Sequence, residues 1–238
     1  MEIKQESVPH VSEAQASPGR MAKWAIVAGA GLLCLSACKT FLIEEAPEWQ
    51  GPEGAETVGI VGDSQVHAAE TGGGTEPNDP DQYLTDLLVE DGYSVSIAAT
   101  NGVTSDGLQG FVWKGLVQPD VRGVALGAND VLILNNETGE TAVPIQRSEA
   151  NIRNYLDTTG TGCVVLVEVP ENALGRGDNA RLWNEVLADI AEDYNGVVMQ
   201  WDDITKAHPE YLTEDQLHQT ALGQEAYREF FSAHISTC

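Results

Sequence analysis

Positive charge is scarce in this sequence: 12 Lys and Arg stand against 37 Asp and Glu, a net charge of −25 over 238 residues. A surface of that sign repels phosphate backbones and anionic headgroups, which excludes nucleic acid as a partner and a polybasic dock on lipid. No internal repeat is present, so solenoids and propellers are excluded. No apolar run reaches the ~20 residues that a comfortable membrane span needs. No cluster of His or Cys has metal-ligand spacing, so neither a metal nor another cofactor is expected. The residues that are present, 42% apolar and 21% charged with 24 Gly and 10 Pro, make a globular chain rather than a collagen, a coiled coil or a disordered polymer. The length suggests one domain, two at most.

Residues 1–20 are polar and aperiodic. Met21-Ala22-Lys23-Trp24 and the apolar run from Ala25 to Ala37 have the form of an export signal, a short basic segment before a hydrophobic one. The run closes on Leu35-Ser36-Ala37-Cys38, which resembles the lipobox of bacterial lipoproteins, whose Cys is acylated after cleavage before it. An ordinary signal peptide or a short anchor helix are the competing readings, and either Met1 or Met21 serves as the start. The lipobox reading places the protein outside the cytoplasm, attached to a membrane of the cell envelope through Cys38. Residues 1–37 carry three basic and three acidic residues, so the exported part keeps the whole excess of negative charge. A soluble acidic surface and an adaptation to high salt both account for that excess. Cys34 leaves with the signal and Cys38 takes lipid, so Cys163 and Cys238 remain in an oxidising compartment, where an even pair is expected to be bridged.

Residues 38–56 read as the lipidated Cys and a flexible tether, and residues 57–238 as the domain. Short apolar runs alternate there with helical patterns. Strands are expected at Thr57–Val61, Tyr93–Ala99, Val121–Leu126, Cys163–Val169 and Gly196–Trp201. Helices are expected from Asp79-Pro80, near Pro144–Asp157, from an Asp178 cap, and from Ala221 to Ile235. Alternation with β-branched, two-face-buried strands predicts a parallel sheet covered on both sides. The last helix must return antiparallel to the strands. That brings Cys238 to the edge where strands begin, beside Cys163.

Ligands bind such sheets beyond the carboxyl ends of the strands. Gly62-Asp63-Ser64 follows the first strand, Gly127-Ala128-Asn129-Asp130 the third, and Asp215-Gln216-Leu217-His218 the fifth. A hydroxyl needs an adjacent base to become a nucleophile, the base needs a carboxylate to fix its tautomer, and an amide can meet developing negative charge. Together the three motifs resemble the SGNH hydrolases, also called GDSL esterases and lipases, over most of residues 57–236. The resemblance implies a flavodoxin-like three-layer α/β/α fold on a five-stranded parallel sheet. It also implies an acyl-enzyme mechanism with Ser64 as nucleophile, His218 as general base and Asp215 as its orienting carboxylate. The oxyanion donors it implies are Ser64, Asn129 and one backbone N–H after the second strand. The family's Asn-x-Gly-x-Ser-Gly is altered there to Thr100-Asn101-Gly102-Val103-Thr104-Ser105-Asp106, and the best register puts the donor at Ser105, with Gly102 the other choice.

The expected activity is ester hydrolysis, removing small acyl groups from glycans or small esters. O-acyl transfer to a surface glycan, which needs a membrane acyl donor as partner, is the alternative; a non-catalytic surface binding module is the third. His67, His208 and His234 read as surface or packing residues, Asp202-Asp203 as a solvated loop, and Asn154 and Trp183-Asn184 as helix residues in buried or capping roles. Trp113 reads as core or as a wall of the cleft, and Trp201 as the buried end of the fifth strand.

Overall fold

The computed structural model describes residues 48–71, 83–134 and 138–238. The leader, Cys38 and the expected helix start at Asp79-Pro80 lie outside them. Five strands form one parallel sheet: β1 Thr57–Gly62, β2 Ser94–Ala99, β3 Val121–Ala125, β4 Cys163–Val167 and β5 Val197–Met199, in the order β2-β1-β3-β4-β5. The helices are α1 Ser64–Thr71, α2 Leu84–Glu90, α3 Ala128–Leu132, α4 Ile145–Thr158, α5 Gly177–Asp193, α6 Trp201–Ala207 and α7 Ala221–Ile235. Among the described residues none is long and apolar enough to cross a membrane.

The strands have apolar residues on both faces because both faces are covered. Val61, Val124, Val164 and Leu166 point into a layer shared with α3, α4 and α5; Val58, Ile60, Val121 and Val165 point into one shared with α1, α2, α6 and α7. The helices supply matching stripes. In α4, Ser148, Ile152, Tyr155 and Leu156 are buried at spacings of four, three and one, which is one face of a 3.6-residue period. This is the three-layer α/β/α sandwich.

Several boundaries differ from expectation. The fifth strand stops at Met199, and Trp201 opens α6 instead of closing the strand. Trp201 is nonetheless fully buried, edge-on to Tyr227 at 5.0 Å between ring centroids; an apolar run alone does not separate a strand end from a helix start. Asp178 lies inside the first turn of α5, with Arg176 in the capping position; a carboxylate there meets the positive end of the helix dipole without capping it. Asp202 is not in a solvated loop: it is buried on α6, where it accepts the Glu171 N–H at 2.7 Å and pairs with Lys206 at 2.5 Å. In the stretch read as tether, Gln50 exchanges two backbone hydrogen bonds with Val95 on the outer edge of β2, and Trp49 packs on Trp113. Trp113 itself is buried.

Two features tie the start of β4 in place. Arg122, buried on β3, donates through Nη1 to the carbonyls of Leu156 and Gly160 and through Nη2 to that of Gly162. It thus satisfies carbonyls at the end of α4 that the helix leaves unpaired. Cys163 is disulfide-bonded to Cys238, with Cα atoms 5.5 Å apart across 75 residues of sequence. Closing a loop of that length restricts the unfolded chain by roughly 4 kcal/mol at most. Reduction is therefore expected to lower the melting temperature by up to about 10 °C. Thermal melts with and without reductant check this, and coincident melts would rule it out.

Candidate active site

The chain runs β1 to β2 in one direction and then crosses to place β3 on the other side of β1, so β1 and β3 flank the topological switch point of the sheet. A cleft of about 610 Å³ opens there, with Ser64, His67, Gly102, Asn129, His218 and Gln224 in its walls. Ser64 is the first residue of α1, immediately after the Gly62-Asp63 turn. Its Oγ lies 3.1 Å from Nε2 of His218, and Nδ1 of His218 lies 2.6 Å from Oδ2 of Asp215.

The loop that carries Asp215 and His218 is held by its own polar groups. Oδ1 of Asp215 accepts the Thr213 hydroxyl at 2.7 Å and the Leu217 and His218 amides at 3.0 Å each. Gln216 takes a φ of +56°, which turns the chain tightly enough for those two amides to reach back. Thr213 N–H donates to the His218 carbonyl at 2.8 Å, and the Leu174 N–H to that of Asp215 at 3.1 Å. Partial burial raises the Asp215 pKa, but the hydrogen bonds from the His218 ring, the two amides and Thr213 outweigh it and hold the carboxyl well below its usual range. Asp215 is thus a permanent anion against one ring nitrogen of His218. The proton belongs on that nitrogen, which leaves Nε2 basic and facing Ser64.

α3 begins directly after Gly127, and Asn129 is its second residue. Gly127 has a φ of +120°, and a Cβ there would lie 2.0 Å from the indole nitrogen of Trp183, so backbone conformation and space both require glycine. Nδ2 of Asn129 donates one hydrogen to the Val103 carbonyl at 2.9 Å. An amide has two, and Asn129 stands in the cleft wall.

Over residues 60–226 the chain matches the GDSL-like lipase/acylhydrolase family. The chain belongs to that family. It is a carboxylic ester hydrolase. No curated protein sequence matches it. Solved structures share its fold: a lipase/acylhydrolase from Enterococcus faecalis at 21% identity and a TM-score of 0.60, covering 76% of this chain and 96% of that one. The psychrotrophic esterase EstA of a Pseudoalteromonas species does so at 21% and 0.56, covering 76% and 97%. An acetyl xylan esterase, AlAXEase, does so at 20% and 0.57, covering 74% and 98%.

One expected site residue of this esterase is placed elsewhere. Ser105 is fully buried and turned from the cleft: its N–H donates to both carboxylate oxygens of Asp130, at 3.1 and 3.0 Å, and its hydroxyl donates to Oδ1 at 2.5 Å. Asp130 also accepts the Ser148 hydroxyl at 2.7 Å. The Ser105 amide therefore serves a buried carboxylate that ties the loop after β2 to α3 and α4. Gly102, with φ +75°, is the residue of that loop in the cleft wall, beside Asn101.

The structure also adds residues to the cleft. His67, read from the sequence as a surface or packing residue, stands in the cleft, three residues after Ser64 on the same helix, where the i, i+3 spacing places both on one face. A helix assigned from Ser64 onward would have found it. Thr220 and Gln224 line the cleft from the start of α7.

Asp63, behind the nucleophile, is 2% exposed, and its Oδ1 accepts the Gln65 N–H at 3.0 Å. Burial first, with a smaller contribution from Asp130, raises its pKa from 3.8 to about 7. The folded state then holds this proton more tightly than the unfolded chain. Stability from Asp63 is complete below about pH 3.8 and is lost as pH rises to about 7. Asp63→Asn removes the ionisation and should flatten the decline in melting temperature across that window. The upper bound is about 4 kcal/mol at neutral pH. Glu168, raised by burial to about 7, leaves a residual slope. Equal pH slopes for variant and wild type would refute the assignment.

Proposed function

We propose that this esterase works from outside the cytoplasm, anchored through a lipidated Cys38, and releases short acyl groups from glycans or small esters by an acyl-enzyme mechanism. The observation that carries the mechanism is the hydrogen-bonded chain Ser64–His218–Asp215 in the floor of the cleft. Ser64 Oγ attacks the ester carbonyl while His218 Nε2 takes its proton, and Asp215 steadies the imidazolium. The oxyanion is met by the Ser64 N–H, an orphan donor in the first turn of α1, by the free amide hydrogen of Asn129, and by the Gly102 N–H in place of Ser105. His218 returns its proton to the departing alcohol. Water then enters, gives a proton to His218 and attacks the acyl carbon; the second tetrahedral intermediate breaks its bond to Ser64 Oγ, which takes the proton back from His218 as the acid is released.

Short acyl groups suit this cleft. Among the described residues that line it none has a large apolar side chain, so each added methylene forgoes most of the ~0.8 kcal/mol that apolar burial provides. A series of p-nitrophenyl esters should show kcat/KM falling steadily beyond the shortest acyl chains; a rise toward long chains would overturn the reading. Acetyl transfer to an added glycan in preference to water would replace hydrolysis by the acyltransferase reading. For the anchor, Cys38→Ala protein should move from membrane to soluble fractions, and a variant that still pellets with membranes would remove the lipid attachment.

A further inference from the structure

Ser105 does not face the cleft, yet it is fastened to both residues that bring donors there from outside α1. The loop after β2 is tied at two places. At its start the Thr100 N–H donates to the Gly62 carbonyl at 3.1 Å, two residues before Ser64. Further on, two consecutive residues of α3 hold alternate residues of the loop. Asn129 Nδ2 donates to the Val103 carbonyl at 2.9 Å. Asp130 accepts the Ser105 N–H at 3.1 and 3.0 Å and the Ser105 hydroxyl at 2.5 Å. Gly102 lies between these ties, one residue before Val103, and stands with Asn129 in the cleft wall.

The direction of the Ser105 hydroxyl is set from α4. Asn151 Nδ2 lies 3.0 Å from Ser105 Oγ and 2.8 Å from Oδ1 of Asp106. Asp106 is paired with Arg147 at 2.9 Å and so offers only acceptors. The Asn151 group that meets it is therefore the NH₂, which donates to Ser105 Oγ as well. A hydroxyl has one hydrogen, and that of Ser105 is left for Asp130. Ser148, one turn before Asn151 on α4, gives its hydroxyl to Oδ1 of the same Asp130 at 2.7 Å. Ser105, Asp130 and Ser148 are fully buried, where such bonds hold geometry firmly. None of the three is among the described residues lining the cleft, so their route to the reaction runs through Gly102 and Asn129.

We propose that Ser105 is a positioning residue: through Asp130 it fixes the placement of the Gly102 N–H relative to the Asn129 amide, the two donors that meet the oxyanion beside the Ser64 N–H. This rests on reading Ser64 as nucleophile and Asn129 as oxyanion donor. Such donors act where charge develops in the transition state, and a misplacement of about 1 Å costs on the order of 10²-fold. The loss therefore belongs in kcat.

The test is Ser105→Ala assayed on p-nitrophenyl acetate well below its melting temperature, with rates per active site counted by organophosphonate labelling of Ser64. Its kcat should fall by about tenfold to a hundredfold while KM stays within about twofold. In an Asn129→Ala background the same substitution should cost no more than about threefold, because one of the donors it places is already gone. A merely structural Ser105 would give the same factor in both backgrounds. Asn151→Ala, at a half-buried position of α4, removes the donor that directs the Ser105 hydroxyl and serves where Ser105→Ala does not fold; its kcat should fall about fivefold, again at constant KM. Unchanged kcat in the folded variants, a defect in KM alone, or equal factors with and without Asn129 would overturn the role of Ser105. Those results remove it alone when Ser64 is labelled and Asn129→Ala is slow. An unlabelled Ser64, or an Asn129→Ala enzyme as fast as wild type, removes the underlying reading as well.

Discussion

Ser64→Ala protein is expected to hydrolyse p-nitrophenyl acetate at least about 10⁴-fold more slowly than wild type while keeping its melting temperature. The rate follows from the chemistry. Without Oγ there is no acyl-enzyme, and His218 Nε2 loses the hydrogen-bond partner 3.1 Å away. Only water positioned by the remaining donors is left, and removing the nucleophile of such a triad costs nearly as much as removing the whole unit. The stability follows from position. Ser64 Oγ faces the cleft, and its bond to His218 is an exposed one. The backbone that places Ser64 is held by other bonds: Asp63 N–H to the Ala125 carbonyl at 3.1 Å, and His67 N–H to the Asp63 carbonyl at 2.9 Å. The checks are steady-state kinetics and a thermal melt on the same preparation. Near wild-type turnover with intact folding would remove Ser64 from the chemistry.

Asn129→Ala should lower kcat by about 10²–10³-fold with little change in KM, the scale found for single oxyanion donors. In the proposed mechanism the amide meets negative charge that exists in the tetrahedral intermediate and not in the bound ester, so its loss is felt in the transition state and not in ground-state binding. A smaller effect on folding is expected as well, about 1 kcal/mol, because the Val103 carbonyl loses the donor at 2.9 Å. Asn129→Asp tests the donor without opening a cavity. It keeps the volume but offers no N–H, so it should lose kcat as severely as the alanine variant. A variant whose defect lies in KM alone would make Asn129 a substrate-binding residue.

The parts of the site that were legible in the sequence share a cause. Ser64 and Asn129 lie just beyond a strand end, His218 lies on the segment between α6 and α7, and a parallel sheet gathers these connections at one edge. Ser64 and His218 come within 3.1 Å although 154 residues separate them. Asp215, three residues before His218, was legible because a short turn is enough to bring its carboxylate back to the ring. Cys163 and Cys238 were legible by similar reasoning, since the last helix has one way to return over the sheet and the bridge lies where it ends.

Ser105, Asp202 and His67 were not legible in that way. A backbone N–H carries no mark in the sequence of which acceptor it will find. Ser105 was assigned by register, and only the packing of α3 and α4 against its loop delivers the Asp130 carboxylate that takes its amide. Asp202 looks like any acidic residue of a chain that has 37 of them, until Glu171 and Lys206 close on it. His67 needed a helix start that two residues of turn signal do not specify.

By itself, then, the sequence determined the quantities that depend on residue type and order: the parallel sheet, its covered faces, the edge where the candidate site lies, the family, and the cysteine pair. Tertiary structure decided which polar groups spend their hydrogen bonds inside the protein and which turn to the cleft. The reason is physical: apolar periodicity is a sum over many residues and survives local errors. The direction of one amide or one imidazole, in contrast, depends on a single partner within about 3 Å, and that partner comes from a distant part of the chain.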